Sequence, residues 1–363
     1  MTKPWPTGGW GGRVGGVNEH VTEDLPLFEQ GRHLLSVSQF TRDNMRALFD
    51  LADAVDPIAK RKAVCTVLDG AMLGSLFFEP STRTRLSFES AFLRLGGEVT
   101  TTTGFTFSSM AKGESIADTS RVVSGYSDVL VVRHPDEGSV AQFAAASTVP
   151  VINAGDGAGE HPSQALLDVY TLEKELTTRG KSVDGCHIAI LGDLKYGRTV
   201  HSLMKLMSLH DNLTFTLFAP GGLELPPQVE NYVIARGHTV LVMDDVVDAV
   251  RGADVIYATR VQRERMTEEL DGAAAHGDLL NKQILAQADN LQAILMHPLP
   301  RDSRPDSYDL SSDVDDLPGL AIFHQTDNGL NVRMAIFLTA LGVSIEAVHL
   351  TTKQRPWKAA LRP

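Results

Sequence analysis

The chain has 363 residues, 43% hydrophobic and 21% charged, with a formal net charge of -12. That length exceeds one ordinary core and suits two. The acidic balance excludes a general binder of nucleic acid or membrane surfaces, whose phosphates it would repel, but not a small anion held by a local cluster of cations.

Residues 1–33 are rich in glycine and lack an apolar signal core, so they read as a flexible arm; the lack of acids before Glu19 leaves an organellar transit segment as the weaker alternative, against the scant amphipathic pattern. From about residue 36, helical and extended patterns alternate. TRDNMRALFDLADAV has helical periodicity through Met45, Leu48, Phe49 and Leu51. MLGSLFF (72–78) is a short apolar run, followed by a turn and a helical stretch that stops near Gly96. EVTTT, DVLVVR and VPVIN are further strands, separated by helices at 114–125 and 137–146. A connecting helix follows at 163–175. CHIAILGD, LTFTLFAP, HTVLVM, ADVIYAT and LQAILMH open a second strand series, again with helices between.

Short apolar runs alternating with helices predict parallel sheets covered on both faces. The fold class is α/β, with two domains, roughly 36–160 and 176–320, each a parallel sheet flanked by helices. A last amphipathic helix at about 328–345 packs back on one of them. No run of about 18 apolar residues predicts a membrane span. Cys65 and Cys186 form no paired motif and read as buried free thiols of a reducing compartment. The 12 histidines include no metal-binding pair, so no metal is expected.

In parallel sheets, ligands bind at the carboxyl ends of the strands, and polar clusters fall there. In FFEPSTRTR (77–85), Ser81, Thr82, Arg83 and Thr84 open a helix with more donors than a cap needs, which points to a phosphate site. Ser108 and Lys112 in FSSMAKGES would add donors to an anion, or else are a solvated loop. Arg133 and His134 end a hydrophobic strand, facing either a ligand or water.

In GEHPSQALLD, His161 and Gln164 lie three apart on one face of a helix start. His161 suits a carbonyl oxygen gaining charge, and Gln164 an NH2 group. LGDLKYGRTVHS follows a strand and opens a helix. Its glycines miss the dinucleotide spacing, so no nicotinamide cofactor is implied and Arg198 remains as an anion ligand. Arg260 and Gln262 in YATRVQRER stand two apart and suit one carboxylate. In HPLPR, the carbonyls of Pro298, Leu299 and Pro300 escape strand pairing and would accept from an amine, unless the segment is an ordinary proline turn.

Taken together, FFEPSTRTR, KGES, RHP, HPSQ, GDLKYGRTVHS, TRVQRER and HPLPR resemble, in this order, the aspartate/ornithine carbamoyltransferase family from about residue 34 to 345. GDLKYGRTVHS, TRVQRER and HPLPR resemble its aspartate branch. The ornithine branch would carry a cysteine in place of Pro298.

The resemblance implies a carbamoyl phosphate-binding domain at 34–162, the last helix returning to it, and an aspartate-binding domain at 163–327. It implies that Ser81, Thr82, Arg83 and Thr84 bind phosphate beside Arg133. Thr84, Arg133 and His161 would face the carbonyl oxygen. Gln164 and the carbonyls of Pro298 and Leu299 would hold the carbamoyl NH2. Arg198, Arg260 and Gln262 would take the aspartate carboxylates, and the Pro300 carbonyl its amine. The Leu299–Pro300 bond would be cis.

Ser108 and Lys112 would reach in from the neighbouring subunit of a homotrimer. That trimer would stand alone or join regulatory or dihydroorotase chains. The implied setting is an early step of pyrimidine synthesis in the cytoplasm, without cofactor. A carbamoyltransferase for another amino acid, or a silent structural homologue, is the alternative.

Overall fold

The computed structural model describes residues 27–104, 112–157, 159–261, 278–302, 304 and 309–357. Two all-parallel sheets organise it. The first runs in the order Glu98–Thr103, Met72–Phe77, Val129–His134, Val151–Asp156. The second runs Ile294–Met296, Val255–Thr259, His187–Gly192, Thr214–Phe218, Thr239–Val242. Central strands are apolar on both faces because helices cover both. Val129, Leu130, Val131 and Val132 are all fully buried. The edge strand Glu98–Thr103 carries four threonines and stays largely accessible.

The connecting helix spans Pro162–Thr178, with proline in its first turn, where a missing N–H costs nothing. The last long helix differs from its expected form. It begins at Ile322 rather than near 328, ends at Ala340, and is followed by a separate helix, Ile345–Thr351. It is buried on most sides instead of amphipathic, because it packs against Arg42–Ala54, Thr82–Arg94 and Pro162–Thr178 together. Phe337 makes edge contacts with Phe88 and Phe92 at 5.8 and 4.9 Å between ring centres. Burial of that kind is worth about 3–5 kcal/mol per phenylalanine against alanine. The helix thus anchors the segment that follows the second sheet onto the first.

Two short pairings carry no pattern in the sequence. Ala63–Cys65 pairs antiparallel with Thr352–Gln354, and Asp278–Leu280 pairs with Asp309–Leu310. Among the described residues, no single helix is long and apolar enough to cross a membrane.

Candidate active site

A cavity of about 720 Å³ opens between the two sheets. Its walls follow the carboxyl ends of strands from both. After Met72–Phe77 come Ser81, Thr82, Arg83 and Thr84. Arg133 ends its own strand, and His161 and Gln164 follow Val151–Asp156. From the second sheet come Arg198, Arg260, Pro298, Leu299 and Pro300. All of these residues were singled out from sequence, and the fold brings them to one space. Lys112 is exposed and does not line the cavity of its own chain. Ser108 and Gln262 lie outside the described residues.

The helix Thr82–Arg94 starts at the cavity with no acid in its first turn. Its cap residue, Ser81, makes no side-chain cap bond, so the hydroxyl is not spent on the helix. Positive helix-end potential and spare donors together make an anion cradle.

Charge sharpens that reading. Among the described residues, five arginines line the cavity: Arg83, Arg133, Arg198, Arg260 and Arg333. Glu79 is the one carboxylate among the described lining residues. Five minus one leaves four net positive charges in a chain that is acidic overall. Burial lowers the Arg83 pKa, and the nearby Arg260 lowers it further. Two guanidiniums held close enough to repel call for an anion between them.

Glu79 joins the two halves. Its Oε2 lies 2.9 Å from Arg133 Nε and 3.6 Å from Arg198 Nη2. Arg198 also donates to the Gly157 carbonyl, and Arg133 Nη1 to that of Ala154 at 3.4 Å. Gly155, at φ 126°, makes room for this pair. A Cβ there would sit 3.1 Å from Arg133 Nη1 and 3.2 Å from Arg198 Nη2.

His161 is only 4% exposed. Burial first, then the charges of Arg198, Arg133 and Arg333, hold its pKa well below 6.5. It is therefore a neutral imidazole at pH 7. Nδ1 lies 3.4 Å from Ser163 Oγ, leaving Nε2 for a ligand.

The HPLP turn is held by its own histidine. Leu299 N–H donates to His297 Nδ1 at 2.8 Å, so the ring proton is on Nε2, which donates to Asp309 Oδ1 at 2.9 Å. This brace keeps Leu299 in the left-handed region at φ 54°, costly for a branched residue. The Leu299–Pro300 bond is cis, as the resemblance implies.

Several groups here were not singled out from sequence: Glu79, Asp168, His297, Asp309, Gln325 and Arg333. Glu79 stood within a quoted motif, but nothing local showed that its partners were Arg133 and Arg198. Asp168 is fully buried and accepts from Gln164, Gln325 and Tyr257. Burial pushes its carboxyl up to about 7, against the lowering pull of those hydrogen bonds and of Arg333. Burial likewise brings Arg333 down to about 10.

The folded chain thus holds the Asp168 proton more tightly than the unfolded chain does. Between 3.8 and about 7 the native state binds the extra proton, so this group's contribution to stability falls as pH rises through that window. Asp168→Asn carries no such dependence. The melting temperature of the wild type is expected to fall relative to Asp168→Asn across that window. Parallel melting profiles would contradict the assignment.

Comparison with known proteins follows the same lines. Residues 32–174 match the aspartate/ornithine carbamoyltransferase carbamoyl-P binding domain, and residues 184–340 match the Asp/Orn binding domain of that family. The chain is 53% identical over 314 residues to the aspartate carbamoyltransferase catalytic subunit of Dichelobacter nodosus, covering 86% of this chain and 90% of that one. The aspartate transcarbamoylase of Trypanosoma cruzi in complex with carbamoyl phosphate superposes with a TM-score of 0.78 at 38% identity, covering 88% of this chain and 99% of that one. The catalytic subunit of M. Jannaschii aspartate transcarbamoylase gives a TM-score of 0.73 at 40% identity, over 84% of this chain and 96% of that one. Both sheets, the cavity between them and these matches lead to one conclusion: the chain belongs to the aspartate/ornithine carbamoyltransferase family.

Proposed function

We propose that the chain transfers the carbamoyl group of carbamoyl phosphate to the amine of L-aspartate, giving N-carbamoyl-L-aspartate and phosphate, an early step of pyrimidine synthesis. The observation that carries this reading is the excess of four positive charges in a cavity fed by both sheets. A carbamoyl phosphate dianion and the two aspartate carboxylates bring about four negative charges at neutral pH.

Residue roles follow from position. Ser81, Thr82, Arg83 and Thr84 take the phosphate at the helix start, with Arg133 beside them. Thr84, Arg133 and His161 meet the carbonyl oxygen. Gln164 and the Pro298 and Leu299 carbonyls accept from the carbamoyl NH2. Arg198, Arg260 and Gln262 take the two aspartate carboxylates, and the Pro300 carbonyl the amine. The domains are 34–162 for carbamoyl phosphate and 163–327 for aspartate, with residues 1–33 an arm.

The neutral amine attacks the carbonyl carbon and a C–N bond forms. The carbonyl electrons move to oxygen, giving a tetrahedral oxyanion. The oxyanion electrons then return to re-form C=O, the bond from carbon to the bridging phosphate oxygen breaks with its pair going to that oxygen, and phosphate leaves with an amine proton. Orientation and fixed positive groups around the growing charge supply the acceleration. The reaction is tested by formation of carbamoyl aspartate that depends on L-aspartate.

The site is completed by Ser108 and Lys112 of a neighbouring copy in a homotrimer, free or joined to regulatory or dihydroorotase chains. What supports this is that Lys112 is exposed and off its own cavity. The buried free thiols Cys65 and Cys186 agree with a reducing compartment, and we assign the chain to the cytoplasm. Two inactive variants, Lys112→Ala and Arg83→Ala, test the shared site when unfolded and reassembled together. A shared site is expected to regain activity in mixed trimers, since one interface then carries neither lesion. No recovery in mixed trimers verified by native mass would sink the shared-site claim.

A further inference from the structure

Asp168 lies one helical turn after Gln164 on Pro162–Thr178, with no accessible surface. Its Oδ1 accepts from Gln164 Nε2 at 2.8 Å and from Gln325 Nε2 at 2.5 Å. Its Oδ2 accepts from the Tyr257 hydroxyl at 2.7 Å. An amide side chain has nearly the same shape either way round, so packing does not choose its orientation; its hydrogen-bond partners do. An acceptor at Oδ1 turns the nitrogen of Gln164 inward, and its oxygen toward the cavity that Gln164 lines. The same acceptor turns the nitrogen of Gln325 inward. Gln325 Oε1 is then placed to accept from the His297 N–H at 3.0 Å, at the start of the turn that carries Pro298 and Leu299.

We propose that Asp168 is a positioning residue that sets specificity: one carboxylate oxygen orients both amides, so the pocket for the transferred group's nitrogen presents acceptors only and selects an amino group over a methyl. The proposal rests on the reading that Gln164 and the Pro298 and Leu299 carbonyls hold the carbamoyl nitrogen. With Gln164 turned over, its NH2 would face the substrate NH2, two donors with no acceptor between them.

The groups facing Asp168 are Gln164 on its own helix, Tyr257 on the strand Val255–Thr259, and Gln325 and the charge of Arg333 on Ile322–Ala340. A proton on Asp168 can sit on Oδ2 and be donated to the Tyr257 oxygen. Oδ1 stays an acceptor, so the orientation survives titration. Asparagine keeps an oxygen at that position. Leucine has a similar outline and removes it.

The experiment compares carbamoyl phosphate with acetyl phosphate, in which a methyl replaces the amino group. Binding of each to the assembled enzyme is measured by calorimetry for the wild type, Asp168→Asn, Asp168→Leu and Gln164→Leu. Asp168→Asn is expected to keep the preference for carbamoyl phosphate. Asp168→Leu is expected to weaken carbamoyl phosphate about 10- to 100-fold and acetyl phosphate less than about 2-fold. An unchanged preference in Gln164→Leu would overturn the underlying reading of Gln164 instead. Should Asp168→Leu not fold, neutron diffraction from the deuterated wild type is expected to place the Gln164 amide deuterons on the Asp168 side. Deuterons on the cavity side, or equal weakening of both ligands in Asp168→Leu, would overturn the role of Asp168.

Discussion

His161→Ala is expected to lower turnover by about 10²–10³-fold with a much smaller change in carbamoyl phosphate binding. Burial first, and then the charges of three arginines, hold the ring neutral. A neutral N–H donor gains little from a ground-state carbonyl and much more from an oxyanion. Its charge state sets a second expectation for the same residue. An imidazolium donor would be lost as pH rises through 6.5, whereas this ring is already neutral below that value. Turnover should therefore show no loss there that disappears in His161→Ala. Steady-state kinetics of wild type and variant across pH provide the check. Unchanged turnover with weaker carbamoyl phosphate binding would make His161 a ground-state ligand.

Arg260→Ala is expected to raise the aspartate requirement by about 2–4 kcal/mol, roughly 30- to 1000-fold, because the charge-assisted carboxylate contact proposed for it is lost. Carbamoyl phosphate binding should change far less. Arg260 stands close enough to depress the Arg83 pKa, so its removal relieves a repulsion in the empty site while Arg83 itself remains. Initial-rate measurements with each substrate varied in turn separate the two effects. An unchanged aspartate KM would remove Arg260 from the carboxylate site.

The elements most legible in the sequence were those with local cause. The run Val129–Val132 reads as a strand buried on both faces, and it is. Ser81 to Thr84 read as a helix start with surplus donors, and Ser81 caps nothing with its side chain. What stayed hidden depends on contacts between distant parts of the chain. Gln325 and Asp168 are 157 positions apart, so their hydrogen bond leaves no local signature. Arg333 sits on a helix buried on most sides, so its apolar spacing does not mark where the helix starts, at Ile322 rather than near 328. The short pairing of Ala63–Cys65 with Thr352–Gln354 is too brief for a period of two to register.

The central claim is that one cavity brings carbamoyl phosphate and aspartate together for direct transfer. Purified chain is incubated with carbamoyl phosphate and either L-aspartate or L-ornithine, and released phosphate and carbamoylated product are both quantified. The account predicts carbamoyl aspartate and phosphate in equal amounts, with Arg83→Ala abolishing both and L-ornithine supporting neither. Equal or faster turnover with L-ornithine, or phosphate release indifferent to L-aspartate, would contradict it.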